Sequence, residues 1–268
     1  MNLTINSHIS SKQNNGIKNL VLLGKQKERN LQDLIVIEGL KEIEKADLSG
    51  YLLNTIYFCP EIIDEKKVSM LLKNGKPERI FTVSEEVYRK IAYRENTGGL
   101  IALAKGKKHT LENLKLPENP LILVIEGIEK PGNIGAIYRT ADAAGIDAII
   151  ITDPKTDFYN PNSIRASLGC IFTVPTAIST SKEALSFLKE SRINIFSTSL
   201  KAAVNYSTAD FTKASAIVLG TEDIGISEIW TENSFRNIII PMRGKADSMN
   251  VSTAAAVIIF EACRQRGF

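Results

Sequence analysis

Residues 121–145 read LILVIEGIEKPGNIGAIYRTADAAG, an apolar run followed by a loop of glycine and proline and then a helical pattern. The run Leu121–Ile125 has no polar residue, which is typical of strands buried on both faces of a parallel sheet. We predict a helix over Ile134–Ala144, with Asn133 as its N-cap and Gly145 just past its end. The stretch therefore predicts one strand–helix unit of a parallel α/β sheet.

The same alternation of strand and helix patterns continues to the C-terminus. Further strands are predicted at Ala148–Thr152, Ile193–Thr198, Ala216–Gly220 and Asn237–Pro241. Pro161 suits the first turn of a helix, and Thr180 with Glu183 forms a capping box before another. A closing helix over Asn250–Arg264 is mostly small and apolar, so we expect it to be largely buried. Residues 120–268 are thus predicted to form a mainly parallel sheet with helices on both faces.

Residues 1–105 also alternate strand and helix patterns and are predicted to form a separate small α/β domain. Predicted strands are Leu34–Ile37, Leu53–Cys59, Arg79–Val83 and Leu100–Ala104. Predicted helices are Asn15–Leu23, one through Leu40 and Ile43, Glu61–Lys73 ending at Asn74-Gly75, and one capped by Ser84. Residues 106–119 begin in a basic run and end between Pro117 and Pro120, which favours a linker. The alternative is a long surface loop within a single domain.

Composition excludes several classes of protein without choosing among the rest. The chain has 268 residues, of which 44% are hydrophobic and 24% charged, as in ordinary globular proteins. The net charge of +3 neither requires nor excludes a nucleic-acid partner. The three cysteines are far apart and form no CxxC pair, which argues against disulfides and against a zinc site; no metal is predicted. We expect Cys170 and Cys263 to be core residues.

The remaining exclusions concern membranes and histidine chemistry. The N-terminus has no apolar signal-peptide segment, and the apolar runs are too short to span a bilayer. We therefore expect a cytoplasmic protein with no membrane partner. The only two histidines, His8 and His109, lie in polar surroundings and are expected at the solvated surface, which weakens any mechanism needing a Ser-His or Cys-His pair.

Three segments at predicted strand ends carry the candidate chemistry, and open α/β sheets place ligands at such ends. They are EGIEKPGNIGAIYRT at residues 126–140, LGTEDIGIS at 219–227 and IPMRGKADSMNVS at 240–252. The first offers backbone N–H groups before a helix, which suits an anion, and Arg139 follows about two turns on. In the second, Gly220 permits close approach to the backbone, and Glu222 follows within two residues.

Each segment also has a purely structural interpretation. Any joint between a strand and a helix uses Gly, Pro and Asn, and Glu222 can be a helix-start carboxylate. In the third segment, Ser248, Asn250 and Ser252 can be an N-cap cluster, although one cap requires one such residue.

Taken together, the three segments resemble the signature motifs of the SpoU (TrmH-type) RNA 2′-O-ribose methyltransferases of the SPOUT superfamily. The motifs occur in the order of that family. They are N-x-G-A-x-x-R-T-A-D-A-x-G from Asn133, L-G-x-E-x-x-G from Leu219 and I-P-M…S-M-N-V-S from Ile240. Residues 1–105 resemble the small RNA-binding domain that precedes many members, through Val36–Gly39 and Asn96–Ala104.

The resemblance implies an enzyme that transfers a methyl group from S-adenosyl-L-methionine to a ribose 2′-hydroxyl of structured RNA. It also implies a C-terminal trefoil knot and a homodimer, and RNA rather than DNA as partner. Ribosomal RNA is favoured over transfer RNA, because the extra N-terminal domain commonly accompanies enzymes acting on ribosomal RNA. A transfer-RNA methyltransferase and a non-catalytic RNA-binding homologue are the alternatives.

The resemblance also implies roles for individual residues. The catalytic candidates are Arg139, Asn133, Glu222, Ser248 and Asn250. The cofactor-binding candidates, acting largely through their main chain, are Thr198, Gly220, Ile240 and Met249, joined by Ser248 and Asn250. Arg139 is expected to grip a phosphate or to stabilise the developing alkoxide, since a guanidinium is a poor base. Asn133 is expected to orient Arg139 or the ribose, and Glu222 to anchor Arg139 or its loop.

Two departures from the family pattern and one group of basic residues complete the predictions. Met249 stands where leucine is usual, and Tyr138 replaces an aliphatic residue beside Arg139, where it could change the surroundings of the target nucleotide. Basic residues that either guide RNA phosphates or form a solvated helix face are Lys12, Lys18, Lys25, Lys27 and Arg29. A Rossmann-type dinucleotide enzyme is disfavoured, because no G-x-G-x-x-G follows the first strand.

Overall fold

The computed structural model describes residues 3–72, 76–93, 98–199, 203–221 and 225–267. By its contacts the chain forms two compact units. The first unit is Met1–Lys108 with Tyr159–Thr173, and the second is His109–Phe158 with Val174–Phe268. The predicted domains of residues 1–105 and 120–268, with a linker at 106–119, stay a prediction.

The first unit contains a mixed sheet of five strands in the order β1-β4-β3-β5-β2. The strands are β1 Ser7–Ile9, β2 Leu34–Glu38, β3 Leu53–Phe58, β4 Arg79–Val83 and β5 Leu100–Lys105. β4 is parallel to β1 and β3, whereas β5 is antiparallel to β3 and β2. The helices are α1 Asn15–Leu22, α2 Gln26–Gln32, α3 Leu40–Leu48, α4 Glu65–Leu71 and α5 Glu85–Ile91.

The four predicted strands of this unit are confirmed, whereas β1 was not predicted, and the helices differ from the prediction at two points. The helix predicted from Glu61 begins at Glu65, because the Asp64 side chain accepts a hydrogen bond from the Lys66 backbone N–H and caps the helix there. Its predicted end at Asn74-Gly75 lies outside the described residues. α2 was not predicted, and its seven residues are mostly polar, so periodicity gives little signal there.

The second unit contains a sheet of seven strands in the order β10-β12-β9-β11-β6-β7-β8. The strands are β6 Leu121–Glu126, β7 Ala148–Thr152, β8 Thr176–Ser179, β9 Asn194–Thr198, β10 Val204–Asn205, β11 Ser215–Leu219 and β12 Arg236–Ile239. All six pairs are parallel. The helices of this part of the chain are α6 Pro131–Ala144, α7 Pro161–Ala166, α8 Cys170–Thr173, α9 Ser181–Glu190, α10 Glu228–Asn233 and α11 Val251–Gln265, of which α7 and α8 belong to the first unit.

The central strands of this sheet are buried on both faces, as the apolar run Leu121–Ile125 predicts. Ile122 and Val124 pack in a core with residues of α9 and with Trp230 of α10. The alternate residues of the same strand are equally buried and point to the opposite face, since successive side chains alternate in a strand. α6 and α11 pack against one another, and α11 also contacts β11. The prediction of a mainly parallel sheet flanked by helices is confirmed.

The start of α6 differs from the prediction. The helix begins at Pro131, and Lys130 is the residue before it, so Asn133 lies inside the first turn rather than at the N-cap. Proline is favoured at the first helical position because its fixed φ suits a helix and its missing N–H would have no partner there. At the other end, Gly145 adopts φ +65°, which confirms its predicted left-handed conformation.

Tyr138 is buried, so the expectation that it alters the surroundings of the target nucleotide is wrong. Its side chain lies on the core face of α6, and its hydroxyl is 2.8 Å from Thr176 Oγ1. Thr176 Oγ1 in turn donates to the carbonyl of Val174. The Tyr138 hydroxyl therefore satisfies a buried acceptor.

We expect Tyr138→Phe to lower the free energy of unfolding by about 1 kcal/mol, because the buried acceptor on Thr176 loses its donor. Methyl transfer should stay near the parent rate. Urea unfolding and a methylation assay measure the two effects. A large loss of activity with unchanged stability would place Tyr138 at the substrate instead.

Of the two histidines, which were both expected at the solvated surface, one is exposed and the other is half-buried. His8 is exposed, as predicted, and its ring lies within 3.0 Å of Thr82 Oγ1. His109 is half-buried, with Nδ1 3.2 Å from the carbonyl oxygen of Thr176 and its ring edge-on to Phe158. The prediction of a solvated His109 is wrong. It was based on the basic neighbours Lys107 and Lys108, whereas the ring packs against Phe158, which is distant in sequence.

Among the basic residues of the first unit, Arg29 is not available to RNA. It is buried, and its Nη1 donates to the carbonyls of Leu23 and Gly24 at 2.8 Å each, so it satisfies the C-terminal end of α1. Lys12 forms a surface ion pair with Glu86. The three cysteines are buried thiols, which confirms the expectation for Cys170 and Cys263.

The carboxyl group of Glu42, on α3, provides a test by pH. Its pKa is raised above 4.5, mainly by burial, with nearby cations such as Lys45 acting in the opposite direction. As pH rises past 4.5, the unfolded chain releases this proton first, so folding stability is lost until the folded pKa is passed. Glu42→Gln should therefore raise the free energy of unfolding relative to the parent at about pH 7.

That gain should disappear as the pH is lowered about one unit below 4.5, where the parent carboxyl is protonated in both the folded and the unfolded state. Urea unfolding of the two proteins at several pH values measures it. An equal gain at every pH would contradict the electrostatic origin and point to packing.

Candidate active site

The carboxyl ends of four neighbouring parallel strands meet at one edge of the seven-stranded sheet. β12, β9, β11 and β6 are adjacent in that order, so the segments that follow them are neighbours in space. We call these segments the β6 loop (127–130), the β11 loop (220–227) and the β12 loop (240–250). Of the β11 loop, residues 220–221 and 225–227 are described. Ligands of open α/β sheets bind at such an edge.

Described residues from all three predicted segments line one pocket at this edge. The lining residues are Ile128, Glu129, Lys130, Asn133, Gly220, Thr221 and Val251. The pocket is open to solvent and has an empty volume of about 340 Å³. Its walls combine buried aliphatic side chains with an amide, a hydroxyl and the ends of two strands, which suits a ligand with both apolar and polar parts.

A hydrogen bond joins the first and third segments directly. Asn250 Nδ2 donates to Asn133 Oδ1 at 3.1 Å, across 117 positions of sequence. Asn250 is also the N-cap of α11, because its Oδ1 accepts from the Ser252 backbone N–H at 2.9 Å and from the Ser252 hydroxyl at 2.6 Å. The cap accounts for Asn250 and Ser252, two of the three small polar residues of the third segment. Ser248 is exposed and hydrogen-bonded to Asp247, so the cap does not account for it.

The β11 loop folds back on itself, which explains Gly220. Thr221 and Gly225 form an antiparallel bridge, with N–H···O distances of 3.0 and 3.1 Å. A Cβ atom on Gly220 would collide with the carbonyl group of Gly225. Position 220 therefore requires glycine because the backbone of Gly225 lies so close to it. The prediction had given another reason, the close approach of a ligand. Gly225 itself has φ +74°.

Three other predicted site residues that the structure describes, Thr198, Ile240 and Met249, lie around this edge without lining the pocket. Thr198 ends β9, and its hydroxyl donates to the carbonyl of Val218 in β11 at 3.0 Å. Ile240 directly follows β12, and Met249, half-buried, precedes the cap of α11. Glu222 lies outside the described residues. The predicted roles of all these residues stay predictions.

Arg139 projects from the exposed side of α6. It lies six residues after Asn133, which is about 9 Å along the helix axis and about 120° around it. Among the residues that the structure describes, its guanidinium has no hydrogen-bond or ion-pair partner. As far as the described residues go, the group is therefore available to a substrate at the surface.

Sequence reasoning missed several residues of this edge. Glu126, the last residue of β6, accepts hydrogen bonds from the backbone N–H and the hydroxyl of Ser227. Glu129, at the pocket, forms an ion pair with Lys155 at 2.5 Å. Their position in the sequence could have indicated them, because polar residues directly after an apolar strand lie at the carboxyl edge of the sheet. Within the described ranges, no cluster of His, Cys, Asp and Glu could hold a metal ion.

The fold and the pocket define an α/β protein with a ligand site at the carboxyl edge of a parallel sheet. A model of the SpoU rRNA Methylase family matches residues 120–260, and a model of the MRM3-like substrate binding domain matches residues 14–102. The chain belongs to the SpoU rRNA methylase family, as the three motifs predicted.

Two curated proteins are similar over nearly the whole chain. The 23S rRNA (guanosine(2553)-2'-O)-methyltransferase RlmP of Bacillus subtilis is 27% identical, over 94% of this chain and 97% of that protein. The 23S rRNA (uridine(2479)-2'-O)-methyltransferase of Streptomyces viridochromogenes is 27% identical, over 91% and 88% respectively.

Solved structures agree with the fold. The crystal structure of an RNA 2'-O ribose methyltransferase is 36% identical with a TM-score of 0.84, covering 97% of this chain and 100% of that one. The AdoMet-bound rRNA methyltransferase of Sinorhizobium meliloti is 26% identical with a TM-score of 0.87, covering 96% and 97%. No helix in the described part of the chain is long and apolar enough to cross a membrane.

Proposed function

We propose that the protein transfers a methyl group from S-adenosylmethionine to a ribose 2′-hydroxyl of ribosomal RNA. The observation that carries the proposal is the single pocket at the carboxyl edge, where Asn133, Gly220 and Val251 meet from three distant motifs. Family membership and relatives that act on 23S rRNA give independent support.

The residues at this edge fit S-adenosylmethionine. Ile128 and Val251 offer aliphatic surface for a nucleoside, and the strand ends offer backbone groups for its polar atoms. Thr198, Gly220, Ile240 and Met249 would hold the nucleoside through their main chain, with Ser248 and Asn250 at the amino-acid end.

Bound S-adenosylmethionine supplies an electrophilic methyl group on a sulfonium. The chain's own residues must then place the ribose oxygen in line with that group, since orientation is a large part of the barrier to transfer. Asn133 and Asn250, already hydrogen-bonded to one another, would orient the ribose. Arg139 would stabilise the oxygen as its proton leaves, because a guanidinium holds its charge and its fork matches anionic oxygens. Glu222 would anchor Arg139 or its loop.

We also propose a domain division, an assembly and a location. Residues 1–105 would bind the RNA, which the match of residues 14–102 to a substrate-binding domain supports. We propose a C-terminal trefoil knot from the membership of residues 120–260 in the SpoU family. We propose that the protein is a homodimer, on the basis of the family resemblance. We also propose that it is cytoplasmic, because its proposed substrate, ribosomal RNA, is found there.

The experiment uses purified protein, radiolabelled S-adenosylmethionine and separately purified ribosomal and transfer RNA. We expect label in 23S rRNA, at a nucleotide that resists alkaline cleavage at its 3′ side, as a 2′-O-methyl group requires. Label in transfer RNA alone would show that transfer RNA, and not ribosomal RNA, is the substrate. Failure to label any RNA, with donor binding intact, would indicate a non-catalytic homologue.

A further inference from the structure

The carboxylate of Glu126 connects β6 to two distant elements. Ser227 donates its backbone N–H to Oε2 at 2.7 Å and its hydroxyl to Oε1 at 2.6 Å. The hydroxyl of Ser181, at the start of α9, lies 2.9 Å from Oε1. Since Ser227 follows Glu126 by 101 positions, these contacts hold together parts of the chain that no local structure would bring near.

The bond to Ser227 fixes where the β11 loop ends. Ser227 is the N-cap of α10, and its own side chain makes no capping hydrogen bond. In a capping box, a Glu or Gln three residues later accepts the N–H of the N-cap residue. That position is Trp230 here, which cannot accept, and Glu126 takes over the role from β6.

The other end of the same loop is packed against the neighbour of Glu126. Gly127 has φ +63°, and a Cβ atom there would lie 3.1 Å from the side-chain methyl of Thr221. Thr221 lines the pocket and bridges to Gly225. Glu126 and Gly127 therefore contact both ends of the β11 loop, whose shape depends on that bridge.

Asp153 shares the network but does not touch the loop. The Ser181 hydroxyl lies 2.7 Å from Asp153 Oδ2, and the Ser181 backbone N–H donates to the same oxygen at 3.0 Å. The indole N–H of Trp230 reaches the Ser181 hydroxyl at 3.3 Å. Because Ser181 has one hydroxyl proton and Asp153 nearby, Ser227 is the partner for which Glu126 is specifically needed.

We propose that Glu126 is a positioning residue that holds the described ends of the β11 loop, residues 220–221 and 225–227, in their bridged arrangement and thereby sets the affinity for the methyl donor. It touches neither donor nor RNA. The effect on affinity rests on the proposed function, whereas the effect on the loop does not. Glu126→Gln offers one acceptor oxygen and an NH₂ group to the backbone N–H and the hydroxyl of Ser227, so at least one of these two hydrogen bonds is lost or reversed.

The test compares Glu126→Gln with Asp153→Asn, the matched change of a carboxylate to an amide in the same network. Hydrogen–deuterium exchange without donor is measured on peptides covering residues 219–227. Donor affinity is measured from the fluorescence of the single tryptophan, Trp230. We expect faster exchange and about tenfold weaker donor binding in Glu126→Gln alone, with the RNA KM within about twofold of the parent.

Parent-like exchange and affinity in a folded Glu126→Gln protein would overturn the inference, as would equal losses in both variants. If Glu126→Gln does not fold, Ser227→Ala decides, because it removes only the hydroxyl contact. Faster exchange of the same peptides in Ser227→Ala supports the inference, and unchanged exchange contradicts it. A parent protein that ignores the donor would refute the proposed function, while the exchange comparison would still test the loop.

Discussion

Arg139→Ala is expected to lower the rate of methyl transfer by about 10²–10³-fold, the usual effect of removing one group that stabilises charge in a transition state. Arg139 is exposed and has no partner among the described residues, so its loss should change stability by no more than about 0.5 kcal/mol. Donor binding should be nearly unchanged, because the guanidinium does not line the pocket.

The measurement is single-turnover methylation of RNA, with donor affinity determined separately by calorimetry. Arg236→Ala is the matched control, since Arg236 is also exposed but begins β12 and so lies at the opposite edge of the sheet. Arg139→Lys separates charge from geometry, because lysine keeps the charge but loses the planar fork. A methylation rate near that of the parent in Arg139→Ala would contradict a catalytic role for Arg139.

Gly220→Ala is expected to open the β11 loop. The added methyl group would collide with the backbone of Gly225, and backbone cannot move aside as a flexible side chain can. We expect a loss of about 1–3 kcal/mol in the free energy of unfolding, the usual cost of overpacking. Donor binding should weaken by at least about tenfold, because Gly220 and Thr221 both line the pocket.

Gly132→Ala is the control, because a Cβ atom on Gly132 meets nothing within 4 Å. It lies in the first turn of α6, where alanine should stabilise the helix by about 0.5–1 kcal/mol. Urea unfolding and donor calorimetry on both variants make the comparison. Equal donor binding in Gly220→Ala and the parent would contradict a closed loop at the site.

Five of the seven strands of the second unit were predictable, because each contains a short apolar run, whereas β8 Thr176–Ser179 and β10 Val204–Asn205 are short and partly polar and were not predicted. Leu121–Ile125 is the clearest, since burial on both faces leaves no place for a polar side chain. The start of α6 was misplaced because Asn133 is a good N-cap by residue type, yet the helix begins at Pro131, three residues before the predicted start at Ile134. Residue preference alone does not decide between two adjacent starts.

The geometry of the site depended on contacts that sequence spacing cannot show. The bond from Asn250 to Asn133 and the bond from Ser227 to Glu126 each span more than a hundred positions. Motif resemblance predicted the first meeting, because both residues belong to recognised motifs. Nothing marked Glu126 beyond its position at a strand end. The burial of Tyr138 was not predictable, because its core partner Thr176 lies 38 positions along the chain.

The most direct test is a crystal structure of the protein with S-adenosylhomocysteine, the product left after methyl transfer. We predict that its nucleoside lies at the carboxyl ends of β9, β11 and β12, within hydrogen-bonding distance of main-chain groups at Thr198, Gly220 or Ile240. Its sulfur should face the pocket that Asn133 lines. A ligand bound away from that edge, or contacted by only one of the three motifs, would contradict the account.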